Sequence, residues 1–126
     1  MLRLLSTSLA FCLAASGIAS ADAGSWVTIR DDPRITYQLD ITTLRGTPAS
    51  RTITMRRLFK VRDERAYALD TLEIDCLTNQ YRFRDIVIYD SDHLVTHRYR
   101  LTDQFCPVPP GSYLASVRTT ACSDRP

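Results

Sequence analysis

Apolar and polar residues alternate with a period of two along most of this chain, and this pattern constrains the fold more than any other feature. Successive side chains of a β-strand point to opposite faces, so the alternation predicts antiparallel strands that each bury one face. The segments that show it lie at Trp26–Ile29, Ile35–Asp40, Ile53–Val61, Leu72–Cys76, Tyr81–Tyr89 and Val95–Leu101.

The period changes near the C-terminus. Ser112 follows a proline-rich segment and suits a helix N-cap, and Leu114, Val117 and Ala121 then recur at helical spacing. We predict that this helix lies across the inner, apolar face of the sheet. The fold class is therefore α+β, with a single antiparallel β-sheet of about six strands packed against one C-terminal α-helix.

The N-terminal segment has the pattern of a secretory signal peptide. Arg3 precedes a short apolar run over Leu4–Ile18, and small residues follow at the positions that a signal peptidase reads. We expect cleavage after Ala21 or Ala23, so that residues 1–23 are removed and residues 24–126 form one domain. The run is too short to cross a membrane. No second long apolar run follows it, so we do not expect stable membrane insertion. The pattern suits export to the periplasm or the cell surface of a Gram-negative bacterium.

Three of the four cysteines lie after the predicted signal peptide. In an oxidising compartment two of them should pair, and three pairings are open. Cys76–Cys122 is favoured, because both residues are expected on the inner face. Cys106 lies between Phe105 and Pro107 and is expected to be a buried free thiol. The spacing is not that of a zinc site, because no Cys-x-x-Cys pair occurs.

The two strands before and after residues 90–93 form the clearest predicted hairpin. If Tyr81–Tyr89 and Val95–Leu101 both turn their apolar residues inward, the numbers of paired residues must sum to an even value. That register places Asp85 near His97 on the inner face. It also groups four basic residues on the outer face, namely Arg82, Arg84, Arg98 and Arg100. Glu73 or Asp75, on the neighbouring strand, would lie beside them.

The charge composition favours a protein or glycan partner over a nucleic acid. The formal net charge is only +2, and Lys60 is the single lysine among sixteen basic residues. Arginine binds carboxylates bidentately, so the outer group of four arginines is a candidate site for an acidic partner. The same group could equally be an ordinary solvated sheet face.

The sequence contains no arrangement that predicts catalysis. His93 and His97 would lie roughly 13 Å apart on a strand, too far to share a metal ion. Asp85 and His97 would form an acid–base pair without a nucleophile beside it, and no glycine-rich phosphate loop occurs. We therefore predict a protein that is not an enzyme, with no catalytic residues, cofactor or metal.

Taken in order, several short motifs resemble the surface-adhesin protein E-like family of proteobacteria. They are Trp26, Tyr37–Asp40 with the Ile41–Leu44 segment, Glu73–Cys76, Tyr89–Asp92, Pro109–Ser112 and Cys122. The resemblance spans residues 24–126 and implies a sheet of about six strands against a C-terminal helix. It also implies the Cys76–Cys122 bridge, with Cys106 as an extra cysteine.

This sequence departs from the family pattern at three places. His93 stands where the family tends to have glycine, and Phe105 stands where a tryptophan is common. The predicted mature N-terminus also lacks a lipid anchor.

For function, the resemblance implies adhesion to host extracellular-matrix and plasma proteins, with homodimer formation as a further expectation. The predicted function is an exported, non-enzymatic, adhesin-like protein that binds an acidic protein or glycan. The alternative is a periplasmic structural or accessory protein of the cell envelope that has no host ligand.

Overall fold

The computed structural model describes residues 25–61, 65–101 and 104–123. The predicted signal peptide and its two candidate cleavage sites lie outside these residues. Within them the elements are β1 (Trp26–Asp31), β2 (Ile35–Thr47), β3 (Ser50–Phe59), β4 (Tyr67–Asp75), β5 (Gln80–Tyr89), β6 (Val95–Arg100), β7 (Cys106–Pro107) and α1 (Tyr113–Ala121).

The strands form one antiparallel sheet in which each strand from β1 to β6 pairs with the next along the chain. The short β7 pairs with the beginning of β5. This architecture, with one helix packed against the sheet, confirms the predicted α+β class. The β2–β3 hairpin is longer than the sequence predicts. Gly46 has a φ of 99° inside β2, and a Cβ there would collide with the carbonyl oxygen of Ser50.

Helix α1 begins where the N-cap pattern predicts. The Ser112 hydroxyl accepts a hydrogen bond from the backbone N–H of Ala115 at 3.3 Å. Leu114, Val117 and Ala121 are buried, as the helical spacing predicts. They form one core on the inner face with residues of the central strands: Tyr37, Leu39, Ile53, Met55, Leu72 and Ile74.

Both ends of α1 are attached to the sheet. At the first turn, the Tyr113 ring stacks on Tyr37 with 4.2 Å between ring centroids. At the last turn, Cys122 forms a disulfide with Cys76, and the Arg51 guanidinium donates to the Ala121 carbonyl oxygen at 2.9 Å. The structure thus contains the pairing that the sequence favours, and a disulfide indicates an oxidising compartment.

A β-bulge in β5 corrects one prediction. Thr71 pairs with Asp85 and Leu72 pairs with Phe83, so Arg84 is an extra residue on β5. One inserted residue reverses the alternation that follows it. Tyr81 and Phe83 therefore lie on the inner face, whereas Val87 and Tyr89 lie on the outer face. The prediction that the alternating apolar residues of Tyr81–Tyr89 share one face is wrong.

The predicted register of the β5–β6 hairpin is also wrong. From Asp85–Arg100 to Ile88–His97 the paired numbers sum to an odd value, and only after a register shift next to the turn does Tyr89 pair with Val95 at an even sum. Asp85 and His97 therefore lie on opposite faces and form no acid–base pair. Moreover, every residue of β6 is exposed, so β6 does not bury the apolar face that the alternation predicts.

The third cysteine also differs from its prediction. Cys106 is free and exposed rather than buried. The reason is its position in β7, a two-residue strand at the margin of the sheet that, within the described residues, pairs with the beginning of β5 alone.

The disulfide should contribute strongly to stability. It joins residues 46 apart, and closing such a loop in the unfolded chain is worth about 4 kcal/mol in the chain-entropy model. We expect Cys76→Ser/Cys122→Ser to lower the free energy of unfolding by about this amount, measured by urea denaturation. Cys106→Ser is the matched control and should leave the midpoint unchanged. Equal midpoints for all three proteins would contradict the assignment.

Candidate functional site

The four arginines singled out in the sequence lie together on the outer face, the face opposite α1. Arg82, on β5, pairs with Glu73, whose side chain also points outward. Arg84 is the bulged residue and reaches the same carboxylate. Arg98 and Arg100 lie on β6 beside Val87 and Asp85. We call these four residues the arginine strip. The bulge reverses the two faces along β5, and the odd register reverses them again on β6. The two reversals cancel, so the four arginines share a face as the sequence predicts, although the predicted register is wrong.

Glu73 organises one half of the arginine strip. Its carboxylate is buried and accepts hydrogen bonds from the Ser50 hydroxyl at 2.6 Å and from Arg82 and Arg84 at 2.9 Å each. Burial acts to raise the pKa of Glu73, but these three donors outweigh it and lower the pKa to about 2. Glu73 is therefore ionised in the folded protein at neutral pH, and Arg82 and Arg84 hold it in place.

The other half of the arginine strip carries excess positive charge. Arg98 donates to Asp85 at 3.2 Å, while the exposed Arg100 side chain makes no hydrogen bond or ion pair within the described residues. Within the described residues, the ion pairs of the arginine strip join Arg82 and Arg84 to Glu73 and Arg98 to Asp85. One oxygen of Asp85 is buried without a hydrogen-bond partner among the described residues. The positive charge without a partner in this part of the chain is therefore that of Arg100, on β6.

An aromatic hollow lies on the same outer face. It has a volume of about 420 Å³ and is lined by Trp26, Arg56, Leu58, Tyr67, Leu69 and His93. The Arg56 guanidinium lies 4.3 Å from the centroid of the Trp26 ring. The hollow is not predicted from the amino-acid sequence. Its only signal was the presence of Leu58, Tyr67 and Leu69 at outward-facing positions of β3 and β4.

The hollow ends at the β5–β6 turn. His93 adopts a φ of 66°, in the left-handed region that non-glycine residues seldom occupy. Its Nδ1 lies 3.0 Å from the Tyr67 hydroxyl, and the Tyr67 ring stacks on Tyr89 at 4.7 Å. This contact gives a physical reason for a histidine at a position where glycine would be less strained.

The structure does not bring the sequence's other polar candidates together. His93 borders the aromatic hollow on the outer face, while His97 lies on the inner side of β6, where its ring stacks with Tyr99 at 6.1 Å. Among the described residues, no group of three or more His, Cys, Asp or Glu side chains is placed to hold a metal ion.

One charged pair is buried on the inner face. Arg57 interrupts the apolar positions of β3, and its guanidinium donates to both carboxylate oxygens of Asp70, at 2.6 and 2.9 Å. The Asp70 side chain is completely buried, whereas that of Arg57 is 20% exposed. The bidentate geometry satisfies both oxygens of the carboxylate, so this pair offers no free group for chemistry.

Comparison with protein-family models, with curated proteins and with solved structures found no match. The resemblance to the surface-adhesin protein E-like family therefore stays a prediction. In the described part of the chain, no helix has the length and apolar character needed to cross a membrane.

We expect the Arg57–Asp70 pair to be strongly coupled. Arg57→Met leaves a buried carboxylate without its partner and should lower the free energy of unfolding by about 3–5 kcal/mol. Arg57→Met/Asp70→Leu removes both charges and should cost clearly less. Urea denaturation of the single and double variants measures the difference. A double variant less stable than the single one would contradict this account.

Glu73 should make the stability of the folded protein depend on pH. Its pKa is lowered from 4.5 to about 2 on folding, so the unfolded chain binds more protons between these values. The contribution of Glu73 is thus complete above about pH 4.5 and is lost as the pH falls through about 2. We expect Glu73→Gln to flatten the fall in the thermal unfolding temperature over this range. An identical slope in the variant would contradict the lowered pKa.

Proposed function

We propose that this protein is an exported, non-enzymatic binding protein, adhesin-like, that contacts an acidic protein or glycan partner through its outer face. A host extracellular-matrix protein is an example of such a partner. The observation that carries the proposal is the exposed positive charge of the arginine strip on β6. The Arg98 and Arg100 guanidinium groups are exposed, and Arg100 makes no hydrogen bond or ion pair within the described residues.

Two further observations support the proposal. The disulfide suits a protein that works in an oxidising compartment, which agrees with the signal-peptide pattern of residues 1–23. The aromatic hollow beside the arginine strip adds flat ring surfaces and hydrogen-bonding groups, which a glycan or a protein side chain can contact. The resemblance to the surface-adhesin protein E-like family points in the same direction.

The site of action separates this proposal from that of a periplasmic accessory protein. Protease added to intact cells should digest the mature chain if it is displayed on the surface. Digestion only after the outer membrane is permeabilised would place the protein in the periplasm, and would contradict a role in binding host proteins.

Binding should depend on the two arginines of β6. We expect Arg98→Gln/Arg100→Gln to weaken binding to heparin, used as an acidic glycan probe, by tenfold or more at 0.15 M salt. Binding of the unaltered protein should also weaken steeply as salt is added, because exposed charges are screened. Isothermal titration calorimetry measures both effects. Arg82 and Arg84 are left in place because they hold the buried Glu73.

The matched control removes the same charge elsewhere. Arg34→Gln/Arg45→Gln alters two exposed arginines outside the arginine strip and should bind heparin almost as well as the unaltered protein. Thermal unfolding of both variants checks that the fold is retained. Equal losses of affinity in the two variants would show that only net charge matters and would overturn the proposed site.

A further inference from the structure

We infer that β6 is a docking edge to which an acidic, extended segment of a partner protein adds as an antiparallel strand. The inference rests on the proposed function, since it specifies how the β6 half of the arginine strip would engage a protein partner. It adds a class of partner, a strand with alternating acidic and apolar residues, and a mode of binding through the backbone.

The first observation is that β6 is an open edge. Among the described strands it pairs only with β5, and all six of its residues are exposed. Its apolar side chains are uncovered, with Val95 54% and Tyr99 46% exposed, and Leu94 just before it is 63% exposed. An unpaired edge strand is a ready template for another strand, and β-strand addition is a recurring mode of peptide recognition.

The second observation is the direction of the backbone groups. The Leu101 N–H donates to the Arg84 carbonyl oxygen at 3.0 Å, which places Leu101 among the residues that face β5. Backbone groups alternate in direction along a strand, so those of Tyr99 and His97 also face β5. The N–H and C=O of Arg98 and Arg100 therefore point away from the sheet, toward an incoming strand.

The third observation is the separation of side chains on β6. Arg98 and Arg100 project on the outer face, while His97 and Tyr99 project on the inner side. Residues directly opposite one another in antiparallel strands lie on the same face and interact. The partner residues opposite Arg98 and Arg100 should therefore be Asp or Glu, and those between them should be apolar to pack beside His97 and Tyr99.

Charge also argues against a second copy of this chain as the occupant. Backbone bonding to a second β6 would pair the outward-facing residues of both strands. In the registers that place Arg98 opposite Arg98 or Arg100, an arginine faces an arginine of the other copy, and like charges directly opposite are destabilising. An acidic strand removes this repulsion and places carboxylates opposite the exposed guanidinium groups of Arg98 and Arg100.

The test uses an eight-residue peptide that alternates glutamate and valine, added to the isotope-labelled protein with hydrogen exchange followed by NMR. We expect the amides of Arg98 and Arg100 to exchange at least tenfold more slowly when the peptide is bound. The amides of His97 and Tyr99 already bond to β5 and should change little. Binding through side chains alone would leave all four exchange rates unchanged and would overturn the inference.

Two methylated peptides provide the control. Glutamates opposite Arg98 and Arg100 would use their own N–H groups to bond β6, so N-methylation of the glutamates should abolish binding. The valine N–H groups would point away from β6, so N-methylation of the valines should leave binding largely intact. Equal loss with both peptides, or no binding of the unmethylated peptide, would overturn strand addition.

These outcomes are separable from those of the proposed function. Heparin binding that depends on Arg98 and Arg100, together with no amide protection by the peptide, would retain the proposed function and reject the docking edge. Protection of the Arg98 and Arg100 amides that rises with protein concentration, without peptide, would show that a second copy occupies β6, and would also reject an acidic partner.

Discussion

The packing of one short helix against one face of the sheet is the interaction on which the rest of this structure depends. Helix α1 has nine residues and is about 14 Å long, so it is shorter than the width of a sheet of six main strands. It buries Val117 and Ala121 completely. Attachment at both ends, by the Tyr37–Tyr113 stack and the Cys76–Cys122 disulfide, holds this small contact area in place.

Because the described residues supply only this helix, the outer face is covered by its own side chains. Arginines serve this purpose, since their aliphatic parts lie over apolar groups while their guanidinium groups stay hydrated. Arg56 lies over Trp26, and Arg82 lies over Phe105 while bonding Glu73. Arg56 and Arg82 thus cover aromatic rings of the protein itself, whereas Arg100 on β6 has no partner within the described residues.

Local patterns predicted much of this architecture. The two-residue alternation located the main strands, and the N-cap at Ser112 with apolar residues at helical spacing located α1. Placing Cys76 and Cys122 on one face was enough to favour their disulfide. The candidate site was predicted only in part. The arginine strip was identified by residue, and Glu73 or Asp75 was expected beside it. The ion pair of Arg98 with Asp85 and the aromatic hollow were not predicted, because both depend on which strands are neighbours.

By itself, the sequence determined the period of each segment, and with it the class of fold, since periodicity depends only on the local backbone geometry. The tertiary structure decided the register and the faces. The bulge at Arg84 and the odd pairing of β5 with β6 arise from hydrogen bonds between distant residues. A shift of one residue reverses every face that follows it. For this reason Val87 and Tyr89 turned outward. Among the described strands β6 pairs only with β5, so it is an exposed edge, which no local pattern could show.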